Sequence, residues 1–210
     1  MTTKITDTAL FDSLFPENKW KEFDSDLYGR VFQRLRESGS DCGQTADQLE
    51  KRKIKLGFHE QYKSGGGWTP SGNITLAPGD DPLTPYVLSL IIHETFHLQQ
   101  PILTRLCVQG ELRAWQHQKR TYPKISGGKE IGADGQAYGG TQAHWDELDK
   151  LSPDSRDDLK TAQVVMRRVA PEYRSNCLPL YPLLNEIGYF LSRGQLAEAL
   201  GVVWNLIMCK

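Results

Sequence analysis

No charge of one sign dominates this sequence: 25 Lys and Arg stand against 26 Asp and Glu, a formal net charge of -1 over 210 residues. A balance of that kind gives no field to draw in nucleic acid. Long apolar runs are also missing. None approaches the roughly 18–20 residues needed to span a bilayer, and mean hydropathy is -0.50, so no membrane association is expected. The amino end, MTTKITDTALFDSLFP, lacks the uninterrupted apolar stretch of a secretory signal. Cysteine is sparse: Cys42, Cys107, Cys177 and Cys209 stand singly. Without a CxxC pair neither a zinc ribbon nor a thioredoxin-type site is supported, and a disulfide framework would be denser. Reduced thiols and a cytoplasmic location are therefore expected.

Internal repeats and low-complexity blocks are absent too. What is present is an ordinary globular composition, 39% apolar and 24% charged, in a chain long enough for one domain with a real core. A single domain over 1–210 is expected, with a motif-bearing part at 53–118 and a loop and helical part at 119–210. The first 50 residues read as helical, with Leu27, Val31, Phe32 and Leu35 at helical spacing. KIKLGFH then alternates as a half-buried strand, SGGGWTPSG reads as a loop, and NITLAPG as a second short strand. Pro82 and Pro85 open a helix that Pro101 closes. A second helix is expected over 102–120, followed by a glycine-rich surface loop over 121–145. Further helices are expected from Ser152-Pro153, over 182–192 and over 195–207. The fold class is α+β, mostly helical, with a small sheet contributed before residue 80.

HETFH at 93–97 is the sharp signal. With 5 His and 12 Glu in the chain, random placement gives this pattern about 0.007 times, so chance explains it poorly. Histidines at i and i+4 share a helical face, near enough to hold one metal ion. Glu94 is turned about 100° from His93, beside such an ion. There a carboxylate can take a proton from an activated water. Zn2+ suits two neutral imidazoles and a carboxylate. Val87, Leu88, Ile91, Ile92 and Leu98 cover the opposite side of the helix, which leaves the histidine face for a cleft.

Two ligands are too few for catalysis, and Glu111 in GELRAW is the third candidate. Around it Thr104, Cys107, Val108, Ala114 and Trp115 form a mainly small or apolar face, where a carboxylate is costly unless a charge meets it. A metal satisfies it; an ordinary partly exposed glutamate, or a buried one paired with Arg105 or Arg113, is the alternative. His117 points about 120° away. His144 and Glu130 sit in or beside the loop, Cys107 reads as a core thiol, and His59 reads as a strand-end side chain. In a strict hairpin turning at Pro101, His97 lies about 6 Å from the turn and Glu111 about 15 Å. Pairing them needs a connection extended through Ile102 and Leu103, or a steep crossing.

With HETFHLQQ followed by GELRAW, residues 53–118 resemble the zincin metallopeptidases, specifically the gluzincin branch; the Gln-Gln pair after the second histidine is similar to uncharacterised bacterial HExxH domains, often with HxxQQ. The metzincin third histidine and Met-turn are absent. The resemblance implies a zincin-like fold, with His93, His97 and Glu111 as zinc ligands and Glu94 as catalytic base. It further implies a peptide or protein substrate bound along an edge strand, with NITLAP as the counterpart, and a transition-state donor, for which Tyr138 and His144 are the candidates. The implied activity is hydrolysis of a peptide amide by an activated water. A zincin-like domain that binds metal or a protein partner without proteolysis is the alternative, and metal-assisted hydrolysis of a non-peptide amide a further one.

Overall fold

Helix caps in the sequence mark where the first elements begin. The computed structural model describes residues 20–60, 65–69, 72–133, 140–169 and 178–208. Asp24 accepts the N–H of Leu27 at 2.8 Å and so starts helix α1, Ser25–Glu37. Helix α2, Ser40–Arg52, follows, and the two bury Val31, Leu35, Cys42, Ala46 and Leu49.

Four short strands come next: β1 (Trp20–Glu22), β2 (Leu56–His59), β3 (Gly66–Trp68) and β4 (Ile74–Leu76). Their order is β1-β2-β4-β3. The central pair β2–β4 is parallel, with Leu56 opposite Ile74, while both outer strands pair antiparallel. The strands expected near 53–59 and 73–79 are thus present, though shorter. β1 and β3 replace what reads as helix and as loop. Three residues are too few to display a period of two, so pairing rather than pattern makes them strands. Trp20 also lies across Gly57, where a β-carbon would come within 2.6 Å of its ring. One expectation is corrected here: β4, the NITLAP segment, is paired on both sides, and β3 occupies the edge.

Helix α3, Pro85–Gln99, starts at the Thr84 cap with Pro85 in its first turn, and it ends before Pro101. The following helix is not continuous over 102–120. It divides into one turn, α4 (Ile102–Arg105), and a long helix, α5 (Val108–Ser126), with Cys107 extended between them. The N–H groups of Val108 and Gln109 donate to the carbonyls of Pro179 and Leu180, at 2.9 and 3.0 Å, so a distant segment holds the start of α5. α5 also runs past Pro123 into the stretch read as loop, and Gly127 closes it with a left-handed φ of 73°. Helices α6 (Gln142–Lys150), α7 (Arg156–Val169), α8 (Leu183–Leu191) and α9 (Leu196–Met208) complete the described chain.

The architecture is α+β, mostly helical, with a small mixed sheet. One apolar cluster joins α1, α2, the sheet and α3 around Leu35, Leu49, Leu56, Leu88 and Ile91. A second gathers Leu112 and Trp115 of α5 with Trp145, Leu159 and Met166. Tyr86 and Tyr122 touch both clusters. The seam where α3 meets α5 lies between these apolar masses, and its polar residues are the candidate site. No helix among the described residues is long and apolar enough to cross a membrane.

Candidate metal centre

Extending the connection from Pro101 to Cys107 removes the mismatch in reach between the two ligand-bearing helices. Glu111 falls in the first turn of α5, close to its start, just as His97 falls close to the end of α3. The first turn of a helix also favours a carboxylate. Across the seam the Nε2 atoms of His93 and His97 stand 3.1 Å apart. Glu111 Oε2 lies 3.2 Å from the second and 3.6 Å from the first. All three residues are buried, at 6, 1 and 6% exposure. The expected cleft on the histidine face is not found: α5 covers that face, and α3 is buried nearly all round.

The donor set fits a small tetrahedral cation. Bonds of about 2.0–2.1 Å place tetrahedral ligand atoms about 3.3–3.4 Å apart, and the three observed separations bracket that value. A circle through the three atoms has a radius of about 1.9 Å, just under one zinc bond length, so a single ion can reach all of them. Glu111 Oε2 is buried, and among the described residues no N–H is aligned to donate to it despite its closeness to two ring nitrogens. Neither alternative partner is used. Arg105 donates to the carbonyls of Leu98 and Gln100, and Arg113 pairs with Asp154 at 3.1 Å. Among the described residues, His93, His97 and Glu111 form a group whose ligand atoms all lie within 4.8 Å of one another.

Electrostatics bind the three together. Burial opposes a charge on Glu111, but the two imidazoles outweigh it and hold the carboxyl well below the usual carboxylate range. Burial likewise opposes a charge on His97, and Glu111 overcomes it, raising that ring above its ordinary value. Glu94, 7% exposed, is outside the ligand set. Burial lifts its carboxyl above the ordinary range, while His93 and His97 pull the other way.

The remaining candidates are placed elsewhere. His117 stacks on Phe96 with ring centroids 4.8 Å apart. Cys107 is buried and its thiol donates to Thr104 O at 3.1 Å; burial pushes it up to about 11. His59 is buried at the end of β2. His144 caps its own helix, its Nδ1 accepting the N–H of Thr141 at 3.2 Å. Tyr138 lies outside the described residues. Two contributors are not apparent from spacing. Trp115, one turn beyond Glu111, sets its ring edge-on to His93 at 6.2 Å and stacks on Trp145 at 4.7 Å, shielding the first ligand. Gly110 lets α5 approach α4, because a β-carbon there would sit 1.9 Å from Thr104 O. The glycine before Glu111 was the available signal. Comparison with known protein families, curated proteins and solved structures gives no match.

Proposed function

We propose that this chain is a zinc-dependent hydrolase of peptide bonds, zincin-like in architecture and of the gluzincin type in its ligand set. The observation that carries the reading is the convergence of His93, His97 and Glu111 at the spacing of a tetrahedral ion, with Glu94 near enough for the charges of all three to act on its carboxyl. When bound, zinc lowers the pKa of a coordinated water to about 7 and polarises a carbonyl. His93, His97 and Glu111 hold the ion. Three protein ligands would match a catalytic zinc set, whereas structural zinc sites use four. Glu94 accepts the proton of the attacking water and returns it to the leaving amine. An extended peptide adds to the edge strand β3, which packs against α3.

Burial of all four residues, none above 7% exposed, favours a second reading. Here the same site binds metal in a domain that does not cleave peptides. Glu94→Gln separates the two. If the chain is a peptidase, the purified parent carries about one zinc per chain and cleaves members of a broad peptide library. The variant then keeps the metal and loses the cleavage. Cleavage by the variant at the parent's rate would remove Glu94 from the mechanism. A zinc-loaded parent that cleaves nothing transfers the assignment to the second reading.

A further inference from the structure

We propose that Gln100 is a positioning residue of this metal centre, fixing His97 with the bare lone pair of Nε2 toward the ion and tying that ring to the backbone beside Glu111. The inference rests on the metal-binding reading of the site. Its logic is one of donors and acceptors. The carbonyl of Gly110 can only accept, so the group facing it at 3.0 Å is the Gln100 amide nitrogen. The amide oxygen is thereby turned to His97 Nδ1, at 3.1 Å. That oxygen can only accept, so Nδ1 carries the hydrogen, and Nε2 of the neutral ring is left bare. A coordinating nitrogen must be bare, and ligand histidines are usually held in this way through their other nitrogen.

Gln100 is itself held. It stands at the end of α3, where its carbonyl accepts from Arg105 Nε at 2.9 Å. The neighbouring Leu98 carbonyl accepts from Arg52 and Arg105, at 2.5 and 2.9 Å. Its amide fills the space that a side chain at position 110 would need, since a β-carbon there would come within 3.1 Å of Gln100 Oε1. One side chain therefore links the second histidine on α3 to the peptide that precedes the third ligand on α5. His93 has no such device among the described residues: its Nδ1 is buried with no hydrogen-bond partner there. The two histidines are consequently unequal at Nδ1: His97 has an amide oxygen there, while the His93 ring stands edge-on to Trp115 and meets His97 through Nε2.

The test is zinc affinity by chelator competition on the full chain, together with NMR of histidine ring N–H protons in the zinc-loaded protein. Gln100→Leu is expected to weaken zinc binding about 10–100-fold, the usual range for such supporting partners, and to speed solvent exchange of the His97 Nδ1–H. Gln100→Glu keeps an acceptor for the ring and gives up only the link to Gly110. It is expected to stay near the parent in affinity and to keep the slowly exchanging proton. Zinc binding by Gln100→Leu within about threefold of the parent, below the supporting range, overturns the proposal, as does Gln100→Glu binding as weakly as Gln100→Leu. A parent that takes up no zinc overturns the metal site and this role together.

Discussion

Replacing Gly110 by Ala tests how the centre is assembled, because two opposing effects predict opposite signs. In an ordinary helical setting, Gly→Ala stabilises by about 0.5–1 kcal/mol through backbone entropy. Gly29, exposed within α1 with nothing inside 4 Å of its missing β-carbon, should behave that way. At position 110 the new methyl would lie 1.9 Å from Thr104 O and 2.8 Å from the carbonyl carbon. Ordinary contact begins near 3.5 Å, so α4 and the start of α5 must part by roughly 1.5 Å. Overpacking of this kind costs about 1–3 kcal/mol, which exceeds the propensity gain. A net loss of about 0.5–2 kcal/mol lowers the melting temperature by about 2–4 °C per kcal/mol in a chain of this size. The larger consequence is at the metal: Glu111 is the next residue, and ligand distances tolerate only about 0.2 Å. Zinc affinity should therefore fall at least about tenfold, while Gly29→Ala leaves it unchanged. Denaturant unfolding and chelator-competition titration read the two effects. A Gly110→Ala variant as stable as its parent, with undiminished zinc affinity, refutes the argument.

Glu111→Ala should weaken zinc binding by about an order of magnitude or more, since one of three ligands is lost. His117→Ala, which removes a ring stacked on Phe96, should leave it nearly unchanged. The reverse ranking in zinc titrations would give the third position to His117. Arg156 holds the 3%-exposed side chain of Glu186 through two bonds, at 3.0 and 2.6 Å, and lies 3.9 Å above the Tyr189 ring. Arg156→Ala strands a buried carboxylate and should cost about 3 kcal/mol, measured by denaturant unfolding with and without zinc.

How much of this was readable beforehand follows from what local sequence encodes. HETFH announces two ligands because a spacing of four is a property of any helix. Thr84, Pro85 and Pro101 bound that helix by their own backbone chemistry. Glu111 was accessible by a different route, as a carboxylate on a face otherwise small or apolar. The break at Leu106 and Cys107 was not, since ILTRLCVQ contains neither Gly nor Pro. What stops the helix is tertiary: the carbonyls of Pro179 and Leu180, some 70 residues further on, take the first N–H groups of α5. β1 and β3 were hidden for a related reason, being three-residue strands defined by their partners.

Gln99 and Gln100 show the limit most sharply. In sequence they are an indistinguishable pair, yet α3 ends between them. Gln99, still helical, faces solvent, while Gln100 adopts an extended backbone with ψ of 153° that turns its amide inward to His97 and Gly110. The helix therefore has to end where it does for the proposed metal centre to be completed. The residues that enforce the ending are Pro101, which lacks an N–H to continue the ladder, and the arginines Arg52 and Arg105, which take the freed carbonyls of Leu98 and Gln100. In the proposed centre, metal binding thus depends on a helix terminus as much as on the motif inside the helix. A chain carrying the same HExxH but a helix running one turn longer would present two histidines and leave both the third ligand and the orienting amide out of reach.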